Sequence, residues 1–159
     1  MAVSIVPKFT KKEISQMLEK KRKSIHRAIL LNMQRIGEEF VKRARNNKTY
    51  KDRTANLRSS IGYVVLYNGQ QLYQSFQEFP PAEEQKGKAG VSNGVEKAKD
   101  LVEDAKRRFP KGFVLIGVAG MEYAAAVEAN GMDVITNASI AAEADLRAAV
   151  KRITKKTGR

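Results

Sequence analysis

Three pairs of close carboxylates are the first places to look for chemistry in this chain: Glu83 with Glu84, Glu103 with Asp104, and Glu143 with Asp145. A general acid and base, or a hard metal ion, needs such groups to converge on one point. Glu83 and Glu84 fall in a stretch rich in proline, glycine and charge. Glu103 and Asp104 are neighbours on the polar face of an expected helix, and residues two apart on a helix, such as Glu143 and Asp145, point in different directions. His26 is the only histidine and there is no cysteine. A thiolate metal site and a disulfide are therefore excluded, and a nucleophile pair has one candidate base, standing among lysines and arginines where a surface or subunit contact is the expected role. The glycine-containing turns "GVAG" and "NGVEKAK" have neither Gly-x-Gly-x-x-Gly nor Walker spacing. The expectation is a protein that is not an enzyme and holds no metal and no cofactor.

Charge is the strongest global signal. The 159 residues carry a formal net charge of +13, and its placement says more than its size. Residues 1–58 hold 16 Lys/Arg against 5 Asp/Glu, residues 59–145 hold 8 against 12, and residues 146–159 hold 6 against none. Two basic clusters stand out: Lys20, Lys21, Arg22, Lys23 and Arg27 near one end, and Lys151, Arg152, Lys155, Lys156 and Arg159 at the other. Such asymmetry suggests a polyanionic neighbour or an acidic protein surface. A chain this size buries roughly two thirds of its unfolded surface around a single core, so one domain is expected over 1–159. No signal-peptide pattern and no membrane-length apolar run is present, so the reading is a protein kept in a cytoplasm, with no membrane partner.

The elements that would position these charges follow from spacing. Thr10 and Glu13 have capping-box spacing, and Phe9 and Ile14 that of a hydrophobic staple. Ile14, Leu18, Ile25, Ile29, Met33, Ile36, Phe40 and Ala44 then make one helical stripe. The spacing predicts a helix over 11–47, a rod of about 55 Å, part of which projects toward another molecule. Asn68-Gly69 predicts a hairpin over 60–77, pairing Val65 with Leu72 and Ile61 with Phe76, these four and Tyr63 sharing the face toward the long helix. "FVLIGVAG" predicts a strand over 113–119, interior to the sheet because it is apolar on both faces. Residues 80–92 read as a mobile loop that orders against a neighbouring subunit. Residues 93–109 read as a helix opened by Asn93 and Glu96, 121–131 as a short alanine-rich helix closed by Gly131, and 137–155 as a terminal helix with Ile140, Leu146, Val150 and Ile153 inward. The fold class is α+β: long N-terminal and C-terminal helices on one side of a small, mainly antiparallel sheet containing a β-hairpin.

The segment "DRTANLRSSI" joins helix to hairpin without a glycine or proline break. Thr54 can cap a short turn, Leu57 can plug the end of the core, and Ser59 and Ser60 can satisfy loose carbonyls before Ile61 begins the strand. Arg53 and Arg58 are not needed to turn the chain, which makes them candidates for subunit or DNA contacts.

The order of long helix, "DRTANLRSSI", hairpin, apolar strand, "EYAAAVEANG" and terminal helix resembles the head-tail joining or tail-completion proteins of the tailed-bacteriophage neck. The first family segment, Thr-Gly-x-Leu-x-x-Ser-Ile, maps to Thr54, Asn56, Leu57, Ser60 and Ile61; the second, Tyr-Ala-x-x-x-Glu, maps to Tyr123, Ala124 and Glu128. The resemblance covers 11–77 and 112–155. Ala55 stands where the family usually has glycine, Asn130 precedes Gly131 where an aromatic residue is common, the proline before the last helix is missing, and 80–109 reads as an insertion. The resemblance implies a structural virion protein, a connector subunit forming a homo-oligomeric ring with sixfold or twelvefold symmetry. Its partners would be the portal or adjacent neck and tail proteins, with nonspecific contact to DNA in the channel. It would be assembled in the host cytoplasm and reside at the head-tail junction. The alternative is a free-standing basic nucleic-acid-binding protein, although Tyr63, Tyr67 and Tyr73 lack the arrangement of an RNA-recognition sheet and no helix-turn-helix spacing is present.

Overall fold

The computed structural model describes residues 8–46, 54–81 and 93–157. In chain order they form α1 (Lys11–Asn46), α2 (Asn56–Ser59), β1 (Ile61–Tyr67), β2 (Gln70–Ser75), α3 (Gly94–Lys106), β3 (Phe113–Ala119), α4 (Ala124–Ala129) and α5 (Thr136–Thr157). Long terminal helices on a three-stranded antiparallel sheet make an α+β fold. The start of α1 is fixed reciprocally: the Thr10 N–H donates to the Glu13 carboxylate at 2.7 Å, and the Glu13 N–H to the Thr10 hydroxyl at 3.2 Å. The first of these bonds, helped by the Thr10 hydroxyl, holds the Glu13 carboxyl below its ordinary value. The staple does not close, because Phe9 and Ile14 both remain exposed.

The strand order is β2-β1-β3, so β1 is central and β3 is an edge, contrary to the interior position that its apolar character suggested. The reason is that helices cover both faces. On one face Ile61, Tyr63 and Val65 pack with Met33, Phe40, Val41 and Ala44 of α1, and α5 adds Ala138. On the other face Val64, Leu66 and Val118 pack with Ala98 and Val102 of α3. The two terminal helices share one side, as expected, but α3 lies on the other, so the helical part of the expected insertion is a structural layer. It ends at Lys106, leaving Phe109 exposed, and Asn93 makes no side-chain cap bond to it. Of the loop expected over 80–92, Ala82 to Ser92 lie outside the described residues.

The hairpin turn has the expected backbone, with Asn68 at φ 50° and Gly69 at φ 76°. Its register does not hold. Leu66 pairs with Gln71 but Val65 pairs with Tyr73, so Leu72 is the extra residue of a β-bulge. Beyond a bulge the pairing slips by one residue. Leu72 is left exposed, Phe76 packs toward α3 rather than α1, and Tyr73 comes against Tyr63.

The inward face of α5 also differs from expectation. Ile140 and Val150 are 62% and 51% exposed, whereas Ala138 and Ala149 are buried. Residues 138, 142, 146, 149 and 153 step by three or four and share one stripe; Ile140 is offset from it by half a turn. Alanines let α5 lie close to α1, and the two run antiparallel: Asn137 and Ala138 lie near Arg43 and Asn46, while Ala142 and Leu146 lie near Phe40 and Gly37.

Candidate functional site

The corner between α1 and the sheet is built from the residues of the first motif. Ala55 adopts a left-handed backbone, φ 59°, which an L-residue with a Cβ enters at a cost of about 1–2 kcal/mol. The Asn56 N–H reaches the Thr54 hydroxyl at 3.4 Å. Leu57 is 2% exposed and sits in the main core with Ile61 and Ala124, so both motif segments meet at one end of the sheet. The Ser60 hydroxyl donates to the Leu57 carbonyl at 2.8 Å, as expected; the Ser59 hydroxyl instead accepts the Phe79 N–H at 2.9 Å. Ala124 opens α4, with exposed Tyr123 just before it. Glu128 holds the start of the last helix, since one of its carboxylate oxygens accepts the N–H groups of Ile135, Thr136 and Val134 at 2.8, 3.0 and 3.2 Å. These groups lead into α5, where unpaired donors accumulate.

Arg58 is not a spare cation. Its guanidinium stacks 4.4 Å from the Phe79 ring, and Arg45 stacks at 4.8 Å. Arg45 also donates to the Ile61 carbonyl at 2.7 Å and to the Gln77 side chain at 3.2 Å. Two arginines thereby pin the segment leaving β2 against the corner. Sequence reasoning missed Arg45 and Phe79, since nothing in their local spacing marks a stack. Arg53 lies outside the described residues.

The described parts of the two basic clusters lie toward the same end of the molecule, while Arg159 lies outside the described residues. Gly37 and Leu146 line one groove between the antiparallel α1 and α5. Moving toward Arg27 on α1 and toward Lys156 on α5 covers about 15 Å along each helix, which brings the last turns of α5 level with Arg27. Lys20 to Lys23 extend further, past the end of α5 at Thr157. Arg22 pairs with Glu19 at 2.8 Å, and Lys23 approaches the same carboxylate at 3.8 Å. Lys20, Lys21, Arg27, Lys151, Arg152 and Lys155 are exposed and form no ion pair among the described residues. Lys156 lies in the last turn of α5.

The described carboxylate pairs do not converge. Glu103 pairs with Lys106, Glu143 with Arg147 and Asp145 with Arg43, while Glu83 and Glu84 lie outside the described residues. Among the described residues no group of three or more histidines and carboxylates could hold a metal ion. His26 is not a free surface base: its ring meets Tyr67 and Phe113 edge-on at 5.0 and 5.2 Å, packing α1 against the hairpin end of the sheet. The Tyr63 hydroxyl faces the Gln34 carbonyl and the Glu38 carboxylate. Burial first, then Glu38, raises the phenol above its ordinary value, so it stays protonated at neutral pH.

The groove between α1, α5 and β3 has a volume of about 290 Å³ and is lined by Gly37, Phe40, Tyr63, Leu115, Ala142 and Leu146 among others. Its lining offers no paired acid and base. Among the described residues no helix is long and apolar enough to cross a membrane. Compared with protein-family models, with characterised proteins and with solved structures, the chain matches none.

Proposed function

We propose that this chain is a structural, non-enzymatic subunit of a homo-oligomeric ring in the neck of a tailed phage, joining head to tail. The observation that carries the ring is a pair of unlike open sheet edges. Backbone bonds join Gly120 to Ser60 and Asn68 to Gly112. By antiparallel alternation, Phe113, Leu115, Gly117 and Ala119 therefore turn their N–H and C=O groups away from β1. Among the described residues no other backbone group pairs with them. Neither "QQLYQS" in β2 nor "FVLIGVA" in β3 carries a charge or a proline, two of the devices that block an edge; the bulge at Leu72 is the one such device on β2. Pairing β2 of one copy with β3 of the next is a heterologous contact, and such contacts close into rings when the rotation allows.

Membership in the neck family draws its support from the corner. Ala55 has a positive φ at the position where that family usually has glycine, and Leu57, Ile61 and Ala124 share one core. The adjoining basic clusters suit acidic surfaces of neighbouring rings, the portal or tail proteins, or loosely held DNA in the channel.

Those same clusters favour the second reading, a free-standing nucleic-acid-binding protein. A salt titration of duplex binding by the purified chain separates the two, repeated with Lys20, Lys21, Arg22 and Lys23 changed to glutamine. A neck subunit is expected to bind weakly and to lose binding at moderate salt, since phosphate contacts release counterions. Binding that survives physiological salt with a sequence preference of ~10³-fold or more would instead establish the second reading.

A further inference from the structure

The first turns of α1 carry an apolar stripe that nothing among the described residues covers. Phe9, Ile14, Met17 and Leu18 are 60%, 40%, 68% and 66% exposed. Ile14 and Leu18 continue, through Ile25 and Ile29, the stripe that is buried at Met33, Ile36, Phe40 and Ala44. One helix face thus serves the core in its second half and faces solvent in its first. The formed Thr10–Glu13 cap fixes where this overhang begins. Isolated helices shorter than ~12–15 residues are marginal in water, and an exposed apolar stripe on a specified helix marks a docking surface.

The charges select the occupant. Between Lys8 and Arg27 stand eight Lys/Arg and two acids, Glu13 and Glu19. Both acids are engaged, Glu13 in the cap and Glu19 with Arg22 and Lys23. Lys21, three residues after Leu18 and four before Ile25, lies on the stripe itself. A second copy laid along this face would oppose like charges throughout. Duplex DNA would neutralise the lysines and leave Met17 and Leu18 in water. We propose that the overhang, Phe9 to Ile25, docks into an apolar groove of a different protein whose rim carries carboxylates. This docking does not depend on whether the chain forms rings.

The test uses the full chain and a labelled synthetic peptide with leucines at heptad a and d positions and glutamates on the flanks. A scrambled peptide of the same composition serves as control. Both are titrated at about 150 mM salt, where the screening length is about 8 Å, alongside duplex DNA and anionic lipid vesicles. The patterned peptide is expected to bind about tenfold or more tighter than the scrambled one, and Met17→Ser with Leu18→Ser to weaken it by a similar factor. The thermal melt of that variant should match the parent, because both side chains are already exposed. Equal binding of the two peptides, no binding of either, tighter binding to DNA or vesicles, or a self-association abolished by the double variant would each overturn the proposal.

Discussion

Replacing Gly120 with alanine is expected to lower the unfolding free energy by about 3 kcal/mol, at the upper end of what overpacking costs. A Cβ at this position would stand 2.3 Å from the Ala98 nitrogen and 2.4 Å from its Cα. Both are backbone atoms of α3 at a fully buried residue, so no flexible side chain can yield. The helix must move off the sheet, loosening the contacts of Val64, Leu66, Val102 and Val118. Gly94 makes the same demand at the helix start, where a Cβ would lie 2.2 Å from the Asn56 carbonyl oxygen. Against a typical domain stability of ~5–15 kcal/mol, the loss is large. Urea unfolding should reveal it as a lower midpoint with an unchanged slope. A loss under ~1 kcal/mol would mean that α3 slides freely and is not the structural layer described above.

The second large effect is expected at Glu128. Changing it to alanine strands the Val134, Ile135 and Thr136 N–H groups at the entry to α5 and should cost about 1–2 kcal/mol near neutral pH. Partial burial alone would raise this carboxyl. The bonds from Ile135, Thr136 and Val134 outweigh that, and the net value lies below the ordinary 4.5. A carboxylate whose folded value is depressed contributes fully above its unfolded value, and loses that contribution as pH falls through the folded one. Glu128→Gln should therefore be less stable than the parent above about pH 4.5, with the gap narrowing as the pH falls below it. A gap independent of pH across roughly pH 2–6 would show that the carboxylate charge is not what holds the entry to α5.

These two positions also mark what was legible in the sequence. The start of α1 could be read from Thr10 and Glu13, the hairpin turn from Asn68-Gly69, and the short helix from "MEYAAAVEANG", because each signal is local. The bulge at Leu72 could not, since a leucine in a strand has no special backbone need and the slip is set by how β2 packs beyond the turn. The inward face of α5 was read in part: Leu146 packs on the core as expected, but alanines make much of the contact with α1, whereas size alone favoured Ile140 and Val150. The layer formed by α3 rests on close approach at Gly94 and Gly120, which single residues in sequence do not announce. Among candidate contact residues, the placement of the two basic clusters toward the same end depends on α1 and α5 running antiparallel. Arg58 looks spare in the sequence because its partner Phe79 is distant along the chain and reached through the hairpin.

If unlike open edges on β2 and β3 drive assembly, the oligomeric state tests the account most directly. Native mass measurement of the purified full chain over a wide concentration range should give multiples of six or twelve, and the same protein should be found in virions at the head-tail junction. A chain that stays monomeric at every concentration and is missing from virions would contradict the proposed function.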